Sequence, residues 1–462
     1  MPDILLSHGY FLAEDEKERH IMKPYPPLGL LYLSAWLKQA GCSVEVFDGT
    51  FATRADLEAR LARTRGVLGL YTNLLTRSSV IELAQVAKAH GWTVILGGPE
   101  SSNYPSEYLA SGANVIVHGE GEATLLELMR ALPQRGVHRL QDVRGISFLD
   151  EDGRVQTNAP REQIEDIDSI PWPDRAAIDH GKYLEVWRAH HGIGSVNLIT
   201  ARGCPYRCTW CSHAVYGFTH RKRDHRDCVD ELEHIRDAYH PDQVWYADDV
   251  FTISNHWLYQ YAAELKRRSV RIPFETISRA DRMMDERVLE TLADMGCYRI
   301  WIGSESGSQR ILDAMKRRVT VDQVKWATKA AQRHGIKVGM FLMWGYDGEE
   351  MTDIEATIEH VKDTNPDIFF TTVAYPIKNT EYFDAVSRNV ELRKSWFAAT
   401  DRDHVVKGRR TGAFYREVDV WLRKEVDAHR LRESDREASA RSLAEAHAAR
   451  SSALRLQHEV ES

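Results

Sequence analysis

The sequence predicts an α/β protein: an N-terminal Rossmann-like domain, a partial (β/α)6 barrel and a C-terminal helical tail. Two observations indicate this class. Short apolar runs of strand length alternate with segments of helical periodicity over the first 135 residues or so, and the same alternation resumes after Ser195. Strands that alternate with helices form parallel sheets covered by helices. We therefore expect a Rossmann-like domain over 1–135, a linker over 136–190, a barrel over 191–400 and a helical extension over 401–462.

The first domain is expected to contain five short parallel strands. Helical periodicity over Leu28–Gln39 ends at Gly41, and a second helical stretch covers Val80–His90. The predicted strands are Ile4–Leu6, Val44–Phe47, Gly66–Tyr71, Thr93–Leu96 and Val115–Val117. Gly153, Pro160, Pro171 and Pro173 punctuate the linker, which leaves room only for a small hairpin around Ile146–Val155.

Six further strands are predicted after the linker, with helices such as Val229–Tyr239 and Val321–Gly335 between them. Six repeats are too few for an eight-fold barrel and favour an open barrel with its active site at the carboxyl ends of the strands. Beyond about Glu417 the chain is rich in Arg, Glu and Ala and predicts a solvated helix. The predicted strands are Ser195–Thr200, Gln243–Ala247, Arg271–Ile277, Tyr298–Gly303, Lys337–Trp344 and Ile368–Ala374.

Composition and charge exclude several classes of function. The 462 residues carry a formal net charge of −8, which disfavours nucleic acid as a partner and tolerates a cationic substrate. The chain has no apolar run of about 18 residues, so no membrane span is expected. The N-terminus lacks the basic start and apolar core of a signal peptide, and a cytoplasmic location is the expectation.

Three of the six cysteines lie within eight residues, in Ala201-Arg-Gly-Cys204-Pro-Tyr-Arg-Cys208-Thr-Trp-Cys211. This loop directly follows a predicted strand. Three thiolates at the spacing CxxxCxxC can bind three irons of a cubane cluster and leave the fourth iron open. Structural zinc normally takes four closed ligands, and His213 stands nearby as a fourth, so a zinc site is the alternative.

With Trp210 as the aromatic residue before the third cysteine, this loop resembles the signature of the radical S-adenosylmethionine (SAM) family. The resemblance implies a [4Fe–4S] cluster held by Cys204, Cys208 and Cys211, with Trp210 beside the cofactor. In that family the open iron binds the amino and carboxylate groups of SAM. One electron then cleaves the sulfonium bond, and a 5′-deoxyadenosyl radical abstracts hydrogen from the substrate.

Later motifs extend the resemblance in the order that the family shows. Gly303-Ser-Glu305-Ser-Gly307 follows a strand, and Glu305 would engage the methionyl group of SAM. Ser278 and Arg279 resemble contacts to the ribose and the carboxylate. Gly345, which ends Gly339-Met-Phe-Leu-Met-Trp-Gly345, would lie beside the adenine, and Tyr375 belongs to a last-strand motif. Each motif is weak alone, and their order after the cysteine loop is what indicates the family.

The order of domains resembles the cobalamin-binding branch of this family. Pro26-Pro-Leu-Gly, Gly97-Gly-Pro-Glu100 and Gly119-Glu-Gly-Glu122 match its appearance, and a Rossmann sheet offers a crevice at its strand ends. The DxHxxG sequence that supplies a histidine ligand in other cobalamin proteins is absent: the only DxH, at Asp427-Ala-His429, lacks the glycine. The sequence therefore leaves cobalamin binding open.

Two further residues are candidates for substrate chemistry. Asp248 and Asp249 follow a strand, and adjacent residues of an extended segment point in opposite directions, so at most one faces the barrel interior. That carboxylate could bind an amine or hydroxyl or accept a proton, and a helix cap or solvated turn is the alternative. Tyr216, five residues beyond Cys211, could donate a hydrogen atom or a proton to a radical, or it could be a packed aromatic.

Size, acidity and domain order resemble the radical diol-dehydratases of aminoglycoside antibiotic biosynthesis. The resemblance implies hydrogen abstraction at C4′ of a paromamine-like substrate, loss of the 3′-hydroxyl as water, and reduction assisted by Tyr216. It also implies an electron donor such as flavodoxin or ferredoxin and an NADPH-dependent reductase that completes the deoxygenation. A cobalamin-dependent radical SAM methyltransferase is the alternative activity, and a redox-sensing iron–sulfur protein is a third interpretation.

Overall fold

The computed structural model describes residues 2–462, which divide into two compact units. The first unit comprises the chain up to Pro205 together with Ser212–Trp245 and Lys394–Thr400. The second comprises Tyr206–Cys211, Tyr246–Arg393 and Asp401–Ser462. The short segment Tyr206–Cys211, which carries two of the three clustered cysteines, thus belongs to the second unit.

A seven-stranded sheet forms the centre of the first unit, in the order β2-β1-β3-β4-β5-β6-β7. Its first five strands pair in parallel, and the last two are added antiparallel. The five predicted strands are confirmed within two residues at each end. The strands are β1 (Ile4–His8), β2 (Val44–Val46), β3 (Val67–Tyr71), β4 (Thr93–Gly97), β5 (Val115–Val117), β6 (Ile146–Leu149) and β7 (Val155–Thr157).

Alternate residues of these strands supply two separate cores, because successive side chains of a strand point to opposite faces. Leu5, Leu68 and Leu96 belong to one buried cluster, and Ile4, Leu6 and Ile95 belong to the other. Helices cover both faces, as a parallel sheet requires. They are α1 (Glu16–Ile21), α2 (Leu28–Gln39), α3 (Arg54–Arg63), α4 (Arg77–Ala89), α5 (Pro105–Ala110), α6 (Glu122–Arg135) and α7 (His180–His191).

The hairpin expected in the linker exists and joins the first sheet. β6 pairs antiparallel with β5, with Val117 opposite Ile146, and β7 closes the edge. Ile146 and Phe148 are fully buried, which explains why this segment packs on the domain rather than lying free between two domains. The remainder of the first unit contains β8 (Ser195–Leu198), β9 (Ala201–Arg202), β10 (Arg221–Lys222), α8 (His225–Tyr239) and most of β11 (Gln243–Tyr246).

The second sheet has six strands in the order β15-β14-β13-β12-β11-β8, as the partial barrel predicts. Within the second unit, β12 to β15 pair in parallel. Its strands are β12 (Phe274–Ser278), β13 (Cys297–Glu305), β14 (Lys337–Trp344), β15 (Ile368–Val373), β16 (Val390–Leu392) and β17 (His404–Val406), the last two forming an antiparallel pair. Its helices up to β17 are α9 (Asn255–Arg267), α10 (Glu286–Met295), α11 (Gln309–Ala314), α12 (Val321–Arg333), α13 (Met351–Thr364) and α14 (Glu381–Val386).

The C-terminal extension consists of two helices, α15 (Gly412–Leu431) and α16 (Arg436–Leu456), that pack against each other. The sequence predicted a single solvated helix here. The charged residues do lie outside, but Val418, Trp421 and Leu422 are buried, because apolar residues recur at helical spacing within the charged run. Among residues 2–462, no helix is both long and apolar enough to cross a membrane.

Candidate active site

The cysteine loop is fixed by main-chain geometry before Cys204 and by hydrogen bonds after it. Gly203 has a φ of +86°, and a Cβ at this position would lie 2.4 Å from the carbonyl oxygen of Thr219, so only glycine fits. Further along, the Thr209 amide donates to the carbonyl of Met315 at 3.1 Å, and the Tyr382 amide donates to the carbonyl of Thr209 at 2.9 Å. The loop is therefore held in one conformation.

All three clustered cysteines are half-buried, and none of them is in a disulfide. Within residues 2–462, no three side chains of His, Cys, Asp or Glu are drawn together as ligands of a single metal ion. A cubane cluster does not require this, because each thiolate binds a different iron. Three accessible thiols on one short, ordered loop therefore have the donor chemistry of a [4Fe–4S] cluster with one open iron.

Two buried arginines converge on the Cys208 sulfur. The Arg317 Nη1 lies 3.6 Å and the Arg279 Nη1 lies 3.9 Å from Cys208 Sγ. Arg279 also donates through Nη2 to the Arg317 carbonyl at 2.7 Å, which ties the two residues together. Burial opposes the charged form of Arg317, but the neighbouring Glu305 and Cys208 raise its pKa overall. The Cys208 sulfur therefore faces two buried guanidinium groups.

Glu305 ends β13 in an unusual conformation. Its φ is +61°, and the register with β14 shifts between Gly303 and Glu305, which marks a β-bulge. Non-glycine residues with positive φ are strained and cluster at functional sites. The residue is 5% exposed, and burial raises the pKa of its carboxyl although Arg317 and Arg279 partly oppose this.

Glu305 and Arg317 form a loosely held pair. Arg317 Nε lies 3.7 Å from Glu305 Oε1, beyond hydrogen-bond distance, and this nitrogen is buried without a hydrogen-bond partner. Arg317 Nη2 donates to the Gly303 carbonyl at 2.5 Å and holds the guanidinium in place. A buried carboxylate facing an under-bonded guanidinium fits a zwitterion, whose ammonium and carboxylate groups each find an opposite charge. The methionyl end of SAM is such a group.

Ser278, Gly345 and Tyr375, which are also predicted SAM contacts, lie at strand ends of the same unit, and Trp210 lies on the cysteine loop. Ser278 is buried at the end of β12 and hydrogen-bonds to Thr252. Gly345, after β14, donates its amide to Glu349 Oε2 at 2.7 Å. Trp210 packs against a buried cluster that includes Met343 and Tyr346. Tyr375 is half-buried and lies 5.6 Å from the Arg402 guanidinium.

The two candidates for substrate chemistry lie in different units. Asp248 in the second unit is 1% exposed, whereas the adjacent Asp249 is exposed, so only one of them points inward, as the alternation of an extended segment predicts. Tyr216 belongs to the first unit and is half-buried.

A cavity of about 370 Å³ lies within the first unit. It is bounded by the two glycine-rich motifs singled out in the sequence, Gly97-Gly-Pro and Gly119-Glu-Gly-Glu122, and by apolar side chains of α2 and the central strands. This size is in the range of small-molecule sites, and apolar walls are typical of them. Tyr216 and Val215 complete its lining.

A buried ionic network adjoins this cavity. Arg202, two residues before Cys204, donates to Glu120 at 2.9 Å and to Glu122 at 2.5 Å, and Arg221 donates to the other Glu120 oxygen at 2.7 Å. Burial opposes the charged form of Arg202, but Glu122 and Tyr216 raise its pKa overall. Its guanidinium carbon lies 5.5 Å from the Tyr216 ring centre, which positions that ring at the cavity wall.

The histidine at the end of β1 is hydrogen-bonded within the protein at both of its ring nitrogens. His8 is 4% exposed, with Nε2 at 3.1 Å from Asp48 Oδ1. Its Nδ1 accepts the Tyr10 amide at 3.1 Å. Both ring nitrogens are thus engaged by the protein, and His8 has no nitrogen left for a metal.

Two domain models match the chain. Residues 198–361 match the Radical SAM superfamily, and residues 20–129 match the B12 binding domain. The protein is a radical SAM enzyme with an N-terminal domain of the cobalamin-binding type. A radical SAM domain uses a [4Fe–4S] cluster and SAM, which favours the cluster over the zinc alternative with His213. His213 instead hydrogen-bonds the Gly217 carbonyl at 3.2 Å.

Relatives of this chain include two methyltransferases. An uncharacterised methyltransferase of Pyrococcus horikoshii is 28% identical over 395 residues, covering 83% of each chain. The cytidylyl-2-hydroxyethylphosphonate methyltransferase of Streptomyces wedmorensis is 26% identical over 442 residues, covering 82% of each. The anaerobic magnesium-protoporphyrin IX monomethyl ester cyclase of Rubrivivax gelatinosus is 26% identical over 80% of this chain and 67% of its own.

Solved structures share the fold at low sequence identity. The cobalamin-dependent SAM radical enzyme OxsB matches 99% of this chain and 72% of its own with a TM-score of 0.76 and 18% identity. The radical SAM methyltransferase TsrM from Kitasatospora setae matches 87% and 81% with a TM-score of 0.70 and 18% identity. These likenesses confirm the two-domain α/β architecture.

Sequence reasoning missed Arg317 and Arg202. Arg317 lies in the basic run Lys316-Arg317-Arg318, and Arg202 lies inside the cysteine motif. A basic residue in such a place is expected to be solvated unless its hydrogen-bond and ion-pair partners are known. The partners of these two arginines are distant along the chain. The only available signal was the position of each beside a recognised motif.

Proposed function

We propose that this protein is a cobalamin-dependent radical SAM methyltransferase that acts on a small molecule. The observation that carries the proposal is the apolar cavity of about 370 Å³ in the domain that matches the B12 binding model. Its glycine-rich rim lets a bulky ligand approach the main chain closely. The two methyltransferases among the relatives support the same activity.

In this proposal Cys204, Cys208 and Cys211 hold the cluster, and the Glu305–Arg317 pair takes the ammonium and carboxylate of SAM. When bound, the cluster and SAM supply a 5′-deoxyadenosyl radical, and cobalamin supplies a methyl carrier. The protein excludes water and fixes positions: Arg279 holds Arg317, and Ser278 and Gly345 lie at strand ends where the nucleoside part would bind. The first unit holds cobalamin without a histidine ligand from His8, whose nitrogens are already bonded.

A second candidate is radical dehydration of an aminoglycoside diol, and the placement of Tyr216 favours it. This phenol is held beside Arg202, on the segment that follows Cys211, where it could donate to a product radical. The buried carboxyl of Asp248 could take the proton of a hydroxyl, and the net charge of −8 suits a polyamine. A flavodoxin or ferredoxin would supply electrons, and an NADPH-dependent reductase would complete the deoxygenation.

Product analysis separates the two. The protein is reconstituted anaerobically and given SAM, reductant and paromamine, with and without hydroxocobalamin. Methyl transfer predicts S-adenosylhomocysteine that forms only with cobalamin. Dehydration predicts 5′-deoxyadenosine and a product one water lighter without cobalamin, and it would overturn the methyltransferase proposal. A variant with Cys204, Cys208 and Cys211 replaced by Ala should form none of these products.

A further inference from the structure

The start of the C-terminal extension contacts the second sheet at the ends of two strands. Arg409 and Arg410 follow β17, and Tyr415 lies in the first turn of α15. All three belong to the second unit, as do β14 and β15. Ligand sites of parallel α/β sheets gather at the carboxyl ends of the strands, so residues that contact these ends are candidates for a role in binding.

Tyr415 packs against the turn that follows β14. Gly345 in this turn has a φ of +68°, and a Cβ there would lie 2.8 Å from both Cζ and Oη of Tyr415. Only glycine tolerates this backbone conformation together with so close a ring. The Gly345 amide donates to Glu349 Oε2 at 2.7 Å. The Gly345 turn is thus held by two side chains, by one through a hydrogen bond and by the other through packing.

Two arginines of the extension hold the same strand ends through main-chain carbonyls. Arg410 Nη1 donates to the Glu349 carbonyl at 2.8 Å. Arg409 Nη1 donates to the carbonyl of Ala374, which directly follows β15 and precedes Tyr375. Segments that follow strands are otherwise among the more mobile parts of a domain. The extension therefore fixes both strand ends at which Gly345 and Tyr375 are predicted to contact SAM.

The Tyr415 side chain is neutral and closely packed. It is buried, and its ring lies 5.1 Å from the Phe414 ring in an edge-on arrangement. The Arg410 guanidinium lies 5.1 Å from the other side chain of this pair, Phe414. Burial and the neighbouring Glu349 carboxyl raise the pKa of the Tyr415 phenol. Tyr415 therefore acts on the Gly345 turn through its shape and position and not through a charge.

We propose that Tyr415 is a positioning residue of the SAM site, which sets the conformation of the Gly345 turn for the adenosine part of SAM. The proposal rests on the placement of the adenosine beside Gly345 that is proposed above. A turn that is already fixed in its binding conformation does not have to be ordered when the ligand arrives, and this raises affinity. The C-terminal extension is therefore a functional part of the radical SAM domain.

The methionyl end of SAM depends on other residues. Arg317 donates to the Gly303 carbonyl and faces Glu305, and neither contact involves the extension. A shifted Gly345 turn should therefore weaken the binding of ligands that contain adenosine and leave the binding of free methionine unchanged. This difference separates a positioning residue from one that only keeps the second unit folded, because partial unfolding would weaken the binding of both ligands.

Titration of the anaerobically reconstituted protein with SAM tests the proposal. Tyr415→Leu removes the ring and is compared with Trp421→Leu, which truncates another buried aromatic residue of α15, one that lies beside Arg450 of α16. We expect the calorimetric dissociation constant for SAM to be about tenfold higher in Tyr415→Leu than in Trp421→Leu. Tyr415→Phe keeps the ring and should stay within about twofold of wild type.

Methionine is then titrated into the same proteins and followed by the electron paramagnetic resonance spectrum of the reduced cluster. Its affinity should be equal in wild type and Tyr415→Leu. Equal SAM affinities in Tyr415→Leu and Trp421→Leu, or a loss of affinity that methionine shares, would overturn the positioning role. Wild-type protein that carries a cluster but binds no SAM would instead overturn the proposed SAM site. If Tyr415→Leu takes up no cluster, Tyr415→Met is compared with Trp421→Met, and equal SAM affinities there would also contradict the proposal.

Discussion

Glu305 and Arg317 face each other in a setting that excludes water. Neither side chain is more than 8% exposed, and the 3.7 Å between Arg317 Nε and Glu305 Oε1 leaves both charges under-compensated. Unpaired buried charges are costly, so the site gains most from a ligand that brings one group of each sign. This is the physical reason for expecting a zwitterionic methionyl group here rather than a neutral ligand.

Glu305→Gln tests that expectation. The amide keeps the shape but loses the charge that faces the ammonium group, so affinity for SAM should fall at least about tenfold, the usual scale for a charge-assisted hydrogen bond. Isothermal titration calorimetry measures the affinity, and iron analysis should show unchanged cluster content. Glu286→Gln, an exposed carboxylate paired with Arg333, is the control. Unchanged affinity in Glu305→Gln would contradict the assignment.

Glu349 makes stability depend on pH. Burial raises the pKa of its carboxyl to about 8, while in the unfolded chain this carboxyl titrates near its ordinary value of 4.5. Between these values the folded state binds more protons than the unfolded state, so stability falls as pH rises. Glu349→Gln keeps an acceptor for the Gly345 amide and removes the titration. In calorimetric scans, the midpoint temperature of unfolding should fall less between pH 5.5 and pH 7.5 for the variant than for the wild type. Equal falls would contradict this account.

At the scale of elements, the four strands β12 to β15 pack closely because a large side chain on one strand lies over a glycine, which has no side chain, on the next. Trp301 of β13 lies over Gly339 of β14, where a Cβ would stand 2.3 Å from the indole. The indole stacks on Phe341 at 5.2 Å and on Phe370 at 5.5 Å, and Glu275 accepts its Nε1 proton at 2.9 Å. The aromatic ladder across three strands depends on this glycine.

Gly339→Ala should therefore destabilise the second unit. The added methyl group must displace a ring that is stacked on two other aromatic rings, and overpacking of this kind costs about 1–3 kcal/mol. Thermal unfolding followed by tryptophan fluorescence measures the loss. Gly335→Ala is an unsuitable control because its φ is +75°, whereas Gly29→Ala has open space around the new methyl group and should change little. A Gly339→Ala midpoint equal to that of wild type would contradict this packing.

The element pattern was largely predictable, and the reasons are visible in particular segments. Leu28–Gln39 and Lys337–Trp344 have the predicted bounds because uninterrupted periodicity and clear breakers define them. The hairpin at β6 and β7 was expected, but its place at the sheet edge was not. Its pairing with β5 depends on tertiary contacts that the local sequence pattern does not reveal. Glu305 could be found from its motif, whereas Arg317 could not, since its contact with Cys208 joins residues 109 positions apart.

At the scale of the whole molecule, two units carry two kinds of site. The second unit contains Cys208, Cys211 and the charged pair that we propose binds SAM, and the first contains an apolar cavity with a glycine-rich rim. Fold and domain matches establish a radical SAM enzyme with a domain of the cobalamin-binding type. The choice between methyl transfer and dehydration depends on whether that cavity holds cobalamin.

Cobalamin titration tests this central point most directly. Gly97 lines the cavity, and a Cβ there would have only Val117 within 4 Å, at 3.9 Å, so Gly97→Val fills space without a clash at Cβ. Gly66→Val, outside the cavity lining and with its nearest atoms at 3.7 and 3.9 Å from the new Cβ, is the control. By absorbance titration with hydroxocobalamin, wild type and Gly66→Val should bind one equivalent and Gly97→Val should bind none. Wild-type protein that binds no cobalamin, or Gly97→Val that binds it as tightly as wild type, would contradict the account.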